Sequence, residues 1–134
     1  MVTLALAQRL IEAGIEEARS SDLLLSFVVV DAGGHLVAVA RMDRADWITP
    51  EVAHGKAWTA AAFRAPSAAQ GEKARDLVAF AGSISAATHG RYTPQIGGLP
   101  LVVDGAAAGG MGASGATGAE DEAVVRAAIE RVLG

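Results

Sequence analysis

The string GGMGASGATGAED, Gly109 to Asp121, constrains the fold more than any other part of this chain. It carries the spacing G-x-G-x-x-G at Gly110, Gly112 and Gly115. That spacing cradles a dinucleotide only between a strand and a helix that leads into a second, parallel strand. Here one helical stretch follows Gly115 and the sequence stops at Gly134. No residues remain for the parallel strand, so no dinucleotide is expected. Glycine inside a strand otherwise marks a bulge, or a place where another backbone or a ligand comes close. Close approach of a helix or a neighbouring subunit is the structural reading, and ligand contact is its alternative. An anion at the following helix start would meet Glu120, Asp121 and Glu122, which read as complements to the helix dipole.

The remaining pattern alternates helix periods with short β-rich runs. Residues 3–20 place Leu4, Ala7, Ile11, Ile15 and Ala18 on one helical stripe. Runs 25–31 and 35–42 are apolar and joined by Ala32-Gly33-Gly34, a hairpin signal. Thr49-Pro50 predicts an N-cap and first-turn proline for a helix over about 50–63. A shorter helix is expected near 67–75; residues 76–90 are ambiguous, with AGSISAATHG reading as loop with a little local order. From Arg91 the pattern returns to strands: RYTPQI, then LPLVVD, then AAAGGMGAS after the Asp104-Gly105 hairpin signal. Thr117-x-x-Glu120 is a capping box, opening a last helix with Val125, Ala128, Ile129, Val132 and Leu133 on one face. The order α-β-β-α-α-β-β-β-α, with hairpins instead of crossovers, predicts an α+β domain over residues 1–134. Its expected frame is a five-stranded antiparallel sheet with helices packed on it.

Composition removes several function classes. Half the chain is apolar (51%), 19% is charged, and the net charge is −4 with no Lys or Arg run. A nucleic-acid footprint would be a basic patch, so no nucleic-acid partner is expected. With no cysteine, thiolate zinc sites, iron–sulfur clusters and disulfides are excluded. The N-terminal helix has charges every few positions, which fits neither a membrane span nor a secretory segment. A cytoplasmic protein that hides apolar surface by self-association is the default expectation.

The strings VVDAGGHLVAVARMD, GKAWTAAAF, GGLPLVVDG and GASGATGAEDE, in this order over about residues 3–132, resemble the family of GlcG, HbpS and the C-terminal domain of PduO. Ala113 stands where that family usually has Val, and Ala116 where it usually has Gly. The resemblance implies a profilin-like α/β fold and a homo-oligomer. For several members it also implies haem or corrinoid-linked roles, including haem degradation.

Three histidines are present, His35, His54 and His89. Glu51, His54 and Trp58 share one helix face at i, i+3 and i+7. A carboxylate, an imidazole and an indole there suit a planar ligand, with helix or subunit packing as the alternative. His54 and His89 are the candidate haem-iron ligands. His35 reads as a solvated turn residue. Gly97, Gly98 and Ser114, in the G-G-x-P and G-x-S-G strings, join the expected ligand contacts. Ser114 lacks a visible base, so no serine-hydrolase chemistry is expected. Lys56 lies roughly 200° around the helix from His54. It needs an anionic partner if buried, with Asp31 or Asp43 as candidates. Arg41, Asp43 and Arg44 at a strand end suit a carboxylate, since arginine holds one in a bidentate way.

Two readings stay open: a haem or tetrapyrrole binder, and an isomerase, lyase or hydrolase acting on a small carboxylated substrate through Lys56, Arg41 and Asp43. A purely structural assembly module is a third.

Overall fold

The computed structural model describes residues 1–134. Its elements run α1 (Leu4–Ser20), β1 (Ser26–Asp31), β2 (Leu36–Arg41), α2 (Thr49–Phe63), α3 (Ser67–Asp76), α4 (Val78–Ala87), β3 (Gly98–Val103), β4 (Ala106–Ser114) and α5 (Gly118–Leu133). The sheet has four strands in the order β2-β1-β4-β3, every neighbouring pair antiparallel. Helices α1 and α5 cover one face, and α2 covers the other.

The fifth strand expected over RYTPQI does not form. Its backbone groups are held by helix side chains instead of by a neighbouring strand. The Tyr92 N–H donates to Thr88 Oγ1 (3.0 Å), and the Thr93 N–H donates to Thr59 Oγ1 (2.8 Å). The Ser67 hydroxyl donates to the Gln95 carbonyl and accepts from the Gly98 N–H (2.9 Å). Pro94 has no N–H to offer a ladder. The segment is thus a strap across α2 and α3. The second correction is α4, a helix that the expected order lacks, in the ambiguous stretch 76–90. It ends on Thr88, whose hydroxyl donates to the Ile84 carbonyl (2.8 Å), and on His89 in the left-handed region. The order is therefore α-β-β-α-α-α-β-β-α.

The local signals for the other elements hold, apart from the cap of α2. Thr3 caps α1 by accepting from the Leu6 N–H (3.1 Å). The buried stripe of α1 centres on Leu10, Ile11 and Ala18, while Leu4 is exposed. Thr117 and Glu120 form the capping box of α5. The β3–β4 turn uses Asp104 and Gly105 at φ +51° and +78°, the paired positive values that Asp-Gly favours. Thr49, suggested as an N-cap by the sequence, is the first helical residue of α2. Its buried hydroxyl donates to the Asp46 carbonyl and lies 2.8 Å from Ser26 Oγ.

The glycines of β4 let α2 lie directly on the sheet. A Cβ on Gly110 would stand 2.2 Å from the Ala57 carbonyl oxygen, and one on Gly112 would stand 2.4 Å from that of Ala53. Backbone meets backbone there, between Ala53, Ala57 and Ala61 on one side and Val28 and Val30 beside the glycines on the other. The G-x-G spacing serves helix packing on an antiparallel strand. The larger core lies on the other face, where Phe27, Leu25 and Met111 pack against Leu10 and Val125.

Candidate functional site

Helix α2 has two unlike sides. Ala53, Ala57, Ala60 and Ala61 are buried against the sheet, whereas Glu51, His54 and Trp58 lie together on the outer side. Trp58 rests over the β1–β2 turn, so close that a Cβ on Gly34 would come within 2.8 Å of the indole. Arg91 of the strap brings Nη1 to 3.1 Å from His54 Nδ1. A guanidinium only donates, so Nδ1 accepts and the neutral ring carries its proton on Nε2. Partial burial lowers the pKa of His54 first, the Arg91 charge lowers it further, and Glu51 opposes both. The imidazole is therefore held neutral over a wider range than a free one.

An apolar strip runs beside this side of α2. Val39 and Leu36 of β2 pair with Val28 and Val30, which face α2. Cross-strand partners point to the same side of a sheet, so Val39 and Leu36 face the α2 side as well. They remain about half exposed, at 49% and 51%. Trp47 and Ile48, just before α2, are also exposed. This side of the molecule thus presents exposed apolar side chains together with an indole, an imidazole N–H and a guanidinium.

Lys56 belongs to a different environment. It is buried, and its ammonium donates to Asp121 Oδ2 and to the Ala113 carbonyl, both at 3.0 Å. Asp121 Oδ1 accepts from the Ala116 N–H (3.0 Å). The partner is thus Asp121 of α5, not Asp31 or Asp43 of the hairpin. Burial pushes the Asp121 carboxyl up, and Lys56 offsets part of that rise. Gly97 and Gly98 roof this pair. A Cβ on Gly97 would stand 2.7 Å from Lys56 Nζ, and one on Gly98 would stand 2.3 Å from the Lys56 carbonyl oxygen. Ser114 is buried at the end of β4, beside Ser26 across the ladder.

Arg41 and Asp43 are not brought to Lys56. They line a groove with Ile15, Arg19, Leu24, Met42 and Arg44 at the end of β2. His89 is exposed in the turn after α4, and His35 is exposed beside Asp31 (3.2 Å). The sequence did not flag Arg91, Arg19 or the pairing role of Asp121. Only the last had a signal, since Asp121 stands in the GASGATGAEDE string of the family resemblance. No group of three His, Cys, Asp or Glu side chains is placed to hold a metal ion, and no helix is long and apolar enough to cross a membrane.

Comparison with known proteins agrees with this architecture. The HbpS-like family, described as haem degrading protein HbpS-like, matches residues 2–130. Protein GlcG of Escherichia coli (strain K12) is 38% identical over 109 residues, covering 81% of this chain and 78% of that protein. The crystal structure of a PduOC:heme complex superposes with a TM-score of 0.87 at 27% identity, covering 96% of this chain and 93% of that one. A double mutant of HbpS from Streptomyces reticuli gives a TM-score of 0.82 at 30% identity, covering 99% and 87%.

Proposed function

This chain belongs to the HbpS-like family, and on that premise we propose that it binds haem or a closely related tetrapyrrole on the outer side of α2 and the exposed side of β2. The observation that carries the reading is that Leu36 and Val39 stay exposed on the α2 side of the sheet while Trp58, over the β1–β2 turn, shares the outer side of α2 with His54 and its Arg91 partner. A tetrapyrrole is a flat apolar body with carboxylates at its edge. The strip and the indole suit the body. Arg91 and the Nε2–H of His54 suit a carboxylate, since charge-assisted donors are the stronger ones. Haem supplies an iron centre for redox chemistry. Ligation of that iron through Nε2 of His54 requires the exposed Arg91 contact to open and the ring proton to move to Nδ1. His89, on its exposed turn, is the second candidate iron ligand.

The proposal includes self-association in a cytoplasmic setting. Helix α4 has no buried residue and packs against α3 alone among the helices and strands, with Val78, Phe80 and Leu77 more than half exposed. Apolar surface of that kind is what a second copy hides. Degradation of the bound haem is the finer part of the reading and rests on the family's description.

Haemin titration of the purified protein tests the proposal. We expect a saturable Soret shift with quenching of tryptophan fluorescence, both weakened in Trp58→Ala. Arg91→Ala separates the two roles of His54: weaker binding supports carboxylate recognition, and an unchanged or sharper low-spin spectrum lost in His54→Ala supports iron ligation. An unsaturable signal, or one indifferent to all three substitutions, overturns the site. Decay of the Soret band under reductant and oxygen, against a no-protein control, tests degradation.

A further inference from the structure

The groove at the end of β2 is a separate feature. Met42 packs toward the core on the α1 side of the sheet, away from the face that carries α2. Ile15, Leu24 and Met42 give the groove an apolar floor, and Arg19, Arg41, Arg44 and Asp43 stand around it. Its volume is about 390 Å³, within the range of small-molecule sites. An adjoining groove of about 270 Å³ shares Arg19, Leu24, Met42 and Arg44 and adds Asp22 and Leu23.

Three observations point to a ligand. The chain's ion pairs engage His35, Lys56, Arg126 and Arg131, so Arg19, Arg41 and Arg44 all lack a carboxylate partner. All three line one groove, in which Asp43 is the single carboxylate. The walls are also held in position. Arg41 Nη1 donates to the Ala45 carbonyl (3.2 Å), which leaves its other donors free, and the Leu25 N–H donates to Met42 Sδ (3.4 Å). Finally, Arg44, which lines both grooves, stands at φ +68°. Left-handed backbone is uncommon for an arginine, and such strain gathers at binding sites.

We propose that this groove binds a small organic monoanion: a carboxylate held by two or three of the arginines, with an aliphatic body on Ile15, Leu24 and Met42. The guanidinium fork matches a carboxylate, the floor selects against a bare inorganic anion, and Asp43 at the rim disfavours a polyanion.

Titration of the ¹⁵N-labelled protein with hexanoate tests this directly. The expected result is saturable shifts confined to amides of residues 15–25 and 41–45. Hexanol and inorganic phosphate at equal concentration should give none that saturate. Loss of charged hydrogen bonds in Arg41→Gln/Arg44→Gln should weaken hexanoate at least about tenfold. Both side chains are exposed, so the spectrum should otherwise be retained, and Arg19→Gln gives an independent second variant. Absence of saturation, equal binding of hexanol, or unchanged affinity in both variants overturns the proposal. Haemin binding should be unaltered by these substitutions, which separates this site from the α2 surface.

Discussion

Replacing Lys56 by Met removes the charge from the most deeply buried ion pair while keeping most of the stem volume. The two side chains are 5% and 2% exposed, and their atoms are 3.0 Å apart. Without the ammonium, Asp121 Oδ2 and the Ala113 carbonyl both lose their donor. Breaking one half of a buried pair costs about 3–5 kcal/mol, against a total of about 5–15 kcal/mol for an ordinary domain. Urea unfolding at neutral pH should therefore show a much lower midpoint with an unchanged slope. The deficit should narrow toward acid. An acid whose folded-state pKa is raised keeps its contribution below the unfolded value and forfeits it as pH rises through the folded one. Burial already raises Asp121, and loss of Lys56 raises it further, so a proton is taken up at a higher pH than in the unfolded chain. Lys56→Met/Asp121→Asn should recover stability, giving a coupling of about 2–3 kcal/mol. A single-variant loss below about 1 kcal/mol, or strict additivity of the two substitutions, would refute this account of a latch between α2 and α5.

Three further outcomes are expected. Proton NMR of His54 should show a midpoint below 6.5, moved up by Arg91→Ala and down by Glu51→Gln. Because the folded state favours the neutral ring, its contribution to stability is present above 6.5 and lost as pH falls through the lowered value. Gly112→Ala should destabilise by about 1–3 kcal/mol or more in thermal or urea unfolding, since its methyl would meet the Ala53 carbonyl oxygen. Light scattering of Val78→Asp/Phe80→Asp should show a smaller assembly than the parent chain with little change in Tm; an unchanged mass removes α4 from the interface.

Elements with local signals were legible in the sequence. The Thr117–Glu120 box, the Asp104-Gly105 turn and the Gly33-Gly34 turn each act over a few residues, and each marks its element. The strap over residues 91–96 was not legible, because Thr59 and Ser67, which hold it, lie about thirty residues earlier. RYTPQI has strand-like composition, but its backbone partners are side chains. Helix α4 escaped for the opposite reason: with no buried face, its apolar residues follow no amphipathic period. At the candidate site, the shared face of Glu51, His54 and Trp58 follows from helix geometry alone. The Arg91–His54 contact spans 37 residues and the Lys56–Asp121 pair 65, and neither spacing has a periodic signature.

The seating of α2 on Gly110 and Gly112 has a mechanical consequence. Most helices ride on a cushion of side chains, whose rotamers absorb small disturbances before the main chain feels them. Here that compliant layer is missing, so a displacement of the sheet by a few tenths of an ångström must carry the whole helix with it. The imidazole and indole on its far side are thereby gauged against the β-strands almost as rigidly as if they grew from them.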